Sequence, residues 1–317
     1  MAFYSTVISD SRETRGRVER TALSTHIDMK PVQQKSPDNT RIFEFTERDF
    51  ARVRALIYQQ AGISLGESKQ EMVYSRLARR LRAQGINTFV EYLDRLESGV
   101  DSEEWEAFTN ALTTNLTSFF REAHHFPILA EHVRNMKAPV SIWCSAASTG
   151  EEPYSIAMTV CEAFGSLTPP VSIIATDIDT NVLETASNGV YPIERIDKMA
   201  QDQVKRFFQR GKGDRSDLVR VRPELRQLIT FKPLNLLGSS WPVSGPFDVI
   251  FCRNVMIYFD KPTQSRILAR FEPLMKPDGL LFAGHSENFM YATDSFKLRG
   301  KTVYELAPRH ADIRKHA

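Results

Sequence analysis

From Val140 onward the chain alternates short apolar runs with amphipathic segments, and this alternation restricts its fold more than any other feature. The apolar runs are Val140–Cys144, Val171–Thr176, Leu228–Phe231, Asp248–Cys252, Leu280–Ala283 and Thr302–Leu306. Their lengths suit strands, while Glu152–Phe164, Thr180–Ser187 and Thr263–Met275 carry helical periodicity between them. Strands alternating with helices predict a largely parallel, doubly wound α/β sheet. The end departs from that pattern. Residues 296–306 read as a hairpin around Gly300, which puts an antiparallel strand at the end of the sheet.

Two further regions stand apart. Residues 191–227 interrupt the alternation: Met199–Phe208 reads as a helix, Gly211-Lys-Gly213 as a turn, and Leu218–Arg222 alternates like a strand. A small inserted antiparallel β subdomain is expected there. Ahead of the sheet, residues 41–115 read as a helical domain. Thr46 and Asp49 form a cap before Phe50, Val53 and Ile57, and Ser68 with Glu71 reads as a capping box before Val73, Leu77 and Leu81, closed by Gly85. Phe89, Tyr92, Leu93 and Leu96 make a third stripe, and Trp105, Phe108 and Leu112 a fourth. Residues 116–310 hold the α/β domain with its insertion, and the polar residues 1–40 read as a disordered tail.

Composition excludes several classes. A net charge of +2 over 317 residues is too small for a general nucleic-acid binder. The three cysteines, Cys144, Cys161 and Cys252, lie in apolar stretches without zinc spacing and read as buried thiols. No signal-like core and no apolar run near the ~20 residues of a membrane span is present, so a cytoplasmic protein is expected. A monomer is the simplest expectation.

The turn Ser145-Ala-Ala-Ser-Thr-Gly-Glu-Glu152 follows the first strand. In open α/β sheets ligands bind at the carboxyl ends of strands, where strand order reverses. A dinucleotide needs a free helix amino end for its pyrophosphate, and Glu151 and Glu152 compete for that position. A cationic ligand without phosphate fits better. S-adenosylmethionine carries an ammonium, a sulfonium, a ribose and an adenine. Glu152 suits the positive charge, Gly150 lets the backbone come close, Asp177 after the second strand suits the ribose diol, and Asn235 after the third suits the adenine. Each has a plainer reading beside it. Glu151 and Glu152 favour any helix amino end, Asp177 serves equally as a helix cap, and Asn235 as a loop turn.

The stretches ALTTNLTSFFREAHHFPIL, SAASTGEEPYSIA, ATDIDTNVLE, FDVIFCRNVMIYFD and KPDGLLFAGHSENF closely resemble the chemotaxis receptor methyltransferase family (CheR), over about Phe43 to Leu306. The resemblance implies an S-adenosylmethionine-dependent methyltransferase sheet and a protein-glutamate O-methyltransferase. Such an enzyme forms glutamate methyl esters on chemoreceptors during chemotactic adaptation and releases S-adenosylhomocysteine. It also implies cofactor contacts at Asn115, Thr117, Arg121, Glu152, Asp177, Asn235, Leu236, Arg253 and Asn254. Asn115 and Thr117 also read as a helix break and a cap.

A glutamate carboxylate, with an ordinary pKa of about 4.3, is already a nucleophile at neutral pH and needs no general base. The site must exclude water and align oxygen, methyl carbon and sulfur. Arg121 and Tyr258 border the transfer site by resemblance and are the candidates that orient the carboxylate, without proton transfer. Their plainer readings are an ion pair of Arg121 with Glu122 or Glu152, and core packing of Tyr258. His124, His125 and His285 read as structural, and no metal is expected.

For partners, Arg76, Arg79, Arg80 and Arg82 lie on one helix and, by resemblance, face acidic chemoreceptor helices. A solvated face is the plainer reading. Gly211 and Gly213 resemble the glycine turn of family members that capture a receptor C-terminal peptide by strand addition. A cofactor- or receptor-binding module without catalysis is disfavoured because Arg121 and Tyr258 are both present. Amine methylation is disfavoured because Cys252-Arg-Asn-Val-Met-Ile-Tyr-Phe259 replaces an Asn-Pro-Pro-Tyr-like motif.

Overall fold

The computed structural model describes residues 42–99 and 101–308. The compact unit discussed below starts at Phe43. The stretch 1–40, read above as a tail, lies outside the described residues.

Four helices open this unit: α1 (Glu47–Ala61), α2 (Gln70–Gln84), α3 (Phe89–Glu97) and α4 (Ser102–Leu112). Thr46 and Asp49 form the expected capping box, with Asp49 N donating to Thr46 Oγ1 at 3.2 Å and Thr46 N to Asp49 Oδ2 at 2.9 Å. The box expected at Ser68 and Glu71 does not form. Ser68 sits inside a 3-10 turn, Glu67–Lys69, and α2 starts at Gln70 without a side-chain cap. The turn itself satisfies the local donor, Lys69 N bonding Gly66 O at 3.0 Å. Gly85 ends α2 in the left-handed conformation, as its position predicted. The four apolar stripes meet in one cluster that includes Val53, Ile57, Val73, Leu77, Tyr92 and Phe108.

The α/β part runs α5 (His125–Arg134), β1 (Val140–Cys144), α6 (Glu151–Phe164), β2 (Val171–Asp177), α7 (Thr180–Asn188), then an insertion. The insertion holds β3 (Val190–Pro192), α8 (Gln201–Phe207), β4 (Phe208–Arg210), β5 (Leu218–Val221) and α9 (Pro223–Gln227). The main sheet resumes with β6 (Ile229–Pro233), β7 (Phe247–Cys252), α10 (Lys261–Phe271), β8 (Met275–Ala283), β9 (Phe296–Gly300) and β10 (Val303–Leu306). Its order is β6-β2-β1-β7-β8-β10-β9. The first five strands are parallel, and β10 pairs antiparallel with both β8 and β9. The last strand therefore lies inside the hairpin pair, and β9 forms the edge.

Period-two alternation divides the central strands between two cores. Ile142, Val249, Phe251, Leu280 and Phe282 join the cluster under α5 and α6. Trp143, Ile250, Cys252, Leu281 and Ala283 join the one under α10. Every residue of β7 is buried, which is why its sequence reads as a continuous apolar run rather than an alternating one. All three cysteines are free and buried.

One helix is shorter than its periodicity implied. The segment expected to be helical over Thr263–Met275 ends at Phe271, gives a 3-10 turn Glu272–Leu274, and Met275 starts β8. Pro273 supplies no N–H to continue the ladder. The inserted subdomain is a three-stranded antiparallel sheet ordered β3-β5-β4.

Candidate active site

Strand order reverses between β1 and β7, and a cavity of about 310 Å³ opens at the carboxyl ends of β1, β2 and β7. Asn115, Thr117, Arg121, Glu152, Asp177, Asn235, Leu236, Arg253, Asn254 and Tyr258 all line it. So do Ile63, Ser64, Leu65, Lys69 and Met72, from the end of α1 to the start of α2. Periodicity placed those only in a helix and its flank. Packing against the sheet brings them to the site, with Ser64 N donating to Tyr258 O at 2.8 Å.

The β1–α6 turn divides its acids. Glu152 faces the cavity. Glu151 is buried and turned elsewhere, accepting from Thr149 Oγ1 at 2.6 Å with Arg195 Nη1 3.5 Å away. Gly150 has a packing reason of its own. Its φ is 100°, and a Cβ there would lie 2.6 Å from the Tyr191 hydroxyl and 2.8 Å from Ala186 Cβ. The glycine lets the turn pack on α7 and β3.

Arg253, at the end of β7, lies between two acids. Nη1 donates to Glu152 Oε2 at 2.6 Å, and Nη2 is 3.3 Å from Glu122 Oε2. Two carboxylates share one fully buried guanidinium; of these Glu152 lines the cavity, together with Asp177, and Glu122 lies behind it. Burial pushes the Glu152 carboxyl up despite Arg253, and Cys144 Sγ donates to its other oxygen at 3.3 Å. Burial also acts to raise Glu122, but His285, Arg253 and Asn254 outweigh it and hold the carboxyl near 2. Arg253, rather than Arg121, thus pairs with Glu122 and Glu152. Arg121 is half-buried and donates to Leu116 O at 3.0 Å.

Asp177 ends β2. Oδ2 accepts from Ser148 N at 2.8 Å and Oδ1 from Asp179 N at 3.0 Å. Burial raises its carboxyl to about 6. The cap of α7 is Asp179, whose Oδ1 accepts from Asn181 N and Val182 N. The cap reading of Asp177 therefore does not hold, and each of its oxygens keeps acceptor capacity. Asp179 Oδ2 also holds the segment after α4, accepting from Asn115 Nδ2 at 2.8 Å and Thr113 Oγ1 at 3.0 Å. Asn235 makes its loop turn, Oδ1 accepting from Leu237 N, while Nδ2 donates to Gln60 O.

Asn254 sits at φ 57°, and its position depends on Glu287, which sequence reasoning did not single out. The Glu287 carboxylate accepts from Asn254 N at 2.9 Å, Met256 N at 2.7 Å and Gly284 N at 2.5 Å. A Cβ at Gly284 would lie 2.4 Å from Asn254 Nδ2, so glycine is needed for this approach.

These residues fit S-adenosylmethionine. An inner wall with more carboxylate than cation suits an ammonium and a sulfonium. Asp177 offers acceptors for a diol, and Ile178, Leu234 and Leu236 give an apolar stretch for a planar base. The more exposed Lys69 and Arg121 also line the cavity.

The other candidates divide by exposure. On α2, Arg76 bonds Ala111 O and Thr113 O, and Arg80 pairs with buried Glu104 at 2.5 Å. Arg79 and Arg82 are exposed. Gly213, at φ 58°, starts a 3-10 turn between β4 and β5, and a Cβ at Gly211 would lie 1.8 Å from Arg215 O. His285 Nδ1 lies 2.8 Å from Glu122 Oε1. His125 is buried with Nε2 2.9 Å from Lys301 O, and burial followed by Arg253 lowers it to about 4. Ligand atoms of Glu122, His124 and His125 fall within 4.8 Å of one another. Arg253 already pairs with that carboxylate, so a metal cation there would meet its charge.

Known proteins agree with this geometry. Residues 48–113 match the all-alpha domain of CheR methyltransferases, and residues 115–305 match their SAM-binding domain. A chemotaxis protein methyltransferase of Klebsiella aerogenes is 59% identical over 261 residues, covering 82% of this chain and 90% of that protein. One from Escherichia coli K12 is 54% identical over 268 residues, covering 84% and 94%. Chemotaxis protein methyltransferase 2 of Pseudomonas aeruginosa is 54% identical over 268 residues, covering 84% and 95%. With matches spanning both the helical and the α/β parts, this chain belongs to the CheR methyltransferase family and uses S-adenosylmethionine as its methyl donor.

Proposed function

We propose that this enzyme methylates glutamate side chains of chemoreceptors, forming glutamate methyl esters. One observation carries the reading. The buried carboxylates of Glu152 and Asp177 line the inner part of the cavity, and the more exposed Arg121 and Lys69, with Tyr258, line the rest. The inner part suits the donor's cation, and the more exposed part suits an incoming carboxylate.

When bound, the cofactor supplies an electrophilic methyl carbon on a positively charged sulfur. Asp177 would accept from the ribose diol, and Glu152, held by Arg253, would face the positive end. Arg121 and Tyr258 orient the substrate carboxylate by charge-assisted and phenolic hydrogen bonds. A glutamate ionised at neutral pH requires no proton acceptor, so the chain's work is alignment and exclusion of water. With the donor held at Glu152 and Asp177, a carboxylate oriented by Arg121 and Tyr258 would accept its methyl group as an ester, and the donor would leave as S-adenosylhomocysteine. Charge is neutralised in the step, so the site must hold the carboxylate without over-stabilising it.

Arg79 and Arg82 present the free basic surface of α2 to acidic receptor helices, while Arg76 and Arg80 support the helix from within. The edge strand β4 and the turn at Gly211–Gly213 would take a receptor C-terminal peptide as an added strand. Residues 41–115 and 116–310 are read as two domains sharing the cavity, supported by the break between the family matches at 113 and 115. The enzyme is read as a cytoplasmic monomer. Among the described residues no helix is long and apolar enough to cross a membrane.

The test is incubation with methyl-labelled S-adenosylmethionine and receptor-bearing membranes. Label released as methanol by mild base, and lost in Arg121→Ala, supports carboxyl methylation. Base-stable label points to nitrogen as the acceptor and overturns it.

A further inference from the structure

Two exposed apolar side chains that line the cavity, Leu116 and Ile257, are not among the residues read above as contacting the cofactor or the carboxylate. Among the described residues, Leu116 and Ile257 are the strongly exposed large apolar side chains that line it, at 80% and 50% exposure. One exposed leucine is ordinary on a protein surface. Here both are displayed by backbones fixed on several sides. Around Leu116 three successive carbonyls are held from three different segments. Asn115 O accepts from Ser148 Oγ at 3.2 Å, Leu116 O from Arg121 Nη1 at 3.0 Å, and Thr117 O from Arg195 Nη1 at 3.2 Å. Ile257 is the middle residue of a 3-10 turn, Met256–Tyr258. Met256 N donates to Glu287, Met256 O accepts from Gln264 Nε2 at 2.8 Å, and Tyr258 O accepts from Ser64 N. Neither side chain is exposed because its main chain is loose.

We infer that Leu116 and Ile257 form an apolar collar that seats the methyl-accepting helix of a chemoreceptor, an inference that rests on the function proposed above. Charge sets the occupant: Lys69 and Arg121, lining the same cavity, call for a carboxylate. A helix that directs a glutamate into the cavity presents its residues three and four positions away on the same face, about 5–6 Å off. Those are the residues the collar would meet. It therefore favours small or apolar residues one turn from the methylated glutamate and disfavours charged ones. Closing it on the helix removes water from around the carboxylate, which strengthens its contacts with Arg121 and Tyr258. The collar thus acts on substrate choice and on orientation, and leaves cofactor binding alone.

The test replaces both with polar residues of similar size, Leu116→Asn and Ile257→Asn. These positions are exposed, so folding is expected to survive, and thermal melting checks that. The double variant is expected to lose about tenfold or more in kcat/KM for receptor methylation, from two lost apolar contacts. Its affinity for S-adenosylhomocysteine, measured by calorimetry, should stay within about twofold of the parent. A receptor carrying asparagine one helical turn from the methylated glutamate should be a poor substrate for the parent enzyme and cost the double variant little more. Unchanged receptor methylation, loss in parallel with cofactor affinity, or fully independent losses for enzyme and receptor substitutions would each overturn the collar. A parent enzyme that places no base-labile methyl group on receptors would instead sink the proposed function, and the collar with it.

Discussion

Arg253 and Glu152 form a buried ion pair at 2.6 Å beneath the cofactor cavity, and the same guanidinium approaches Glu122 at 3.3 Å. The pair joins the end of β7 to the start of α6, the two segments on either side of the strand-order reversal. Removing the arginine leaves two buried carboxylates without their cation. Arg253→Met is expected to lower stability by about 3–5 kcal/mol, the usual cost of leaving a buried charge unpaired. Urea unfolding measures that loss. Calorimetry with S-adenosylhomocysteine should show binding lost as well, because Glu152 would take up a proton and no longer face the ligand as an anion.

Asp177 predicts a pH dependence of cofactor affinity. Burial raises its carboxyl from 3.8 to about 6. The protonated acid offers fewer acceptors to a diol. Affinity for S-adenosylhomocysteine should therefore be full above pH 6 and fall, by at most about tenfold per pH unit, as pH drops through 6. In the free protein the sign is opposite. The raised carboxyl contributes stability that is present below 3.8 and lost as pH rises through about 6. Asp177→Asn should weaken binding at pH 7.5 by about tenfold or more and flatten the profile between pH 5 and 7. A variant whose affinity still falls below pH 6 would assign the titration to another group.

Glu287 holds the segment that carries Asn254 and Tyr258 by accepting from Asn254 N and Met256 N, and a third bond from Gly284 N fixes its own loop. In Glu287→Gln one acceptor oxygen becomes an NH2 group facing a donor. The expected cost is about 1–3 kcal/mol of stability, for a buried donor left unpaired. A larger fractional fall is expected in kcat than in the fraction folded at 25 °C, since Tyr258 sits on the displaced turn. Steady-state kinetics beside a melting curve separates the two.

The arginines of α2 should divide by partner. Arg79 and Arg82 are exposed, whereas Arg80 is bonded to buried Glu104 and Arg76 to the end of α4. The pair Arg79→Glu and Arg82→Glu should reduce kcat/KM for receptor membranes, with an effect that shrinks as salt rises, and leave melting unchanged. Arg80→Glu should lower melting first, because it sets two acids together against a buried site.

Much of the molecule was legible in the order of its residues. The strand runs, the caps at Thr46 and Gly85, the hairpin at Gly300 and the inserted sheet all follow from local periodicity and turn chemistry. The errors were local too. A 3-10 turn replaced the box at Ser68, and Pro273 cut α10 short. At Gly150 the packing requirement was not legible, since its neighbours Tyr191 and Ala186 lie 41 and 36 residues away along the chain.

The sequence by itself determined the alternation of strands and helices, the acids at strand ends and the family to which the chain belongs, because these depend on neighbours within a few residues. Only the tertiary structure decided which charges meet. That Arg253, not Arg121, pairs with Glu152 depends on β7 lying beside β1, the partners being 101 positions apart along the chain. That Glu287 holds the turn at Met256–Tyr258, and that Ser64 reaches it from the segment after α1, likewise depends on chain segments brought together by burial of apolar surface. Electrostatics and hydrogen bonding at this site act over a few ångströms in space, and separation along the chain does not encode that distance.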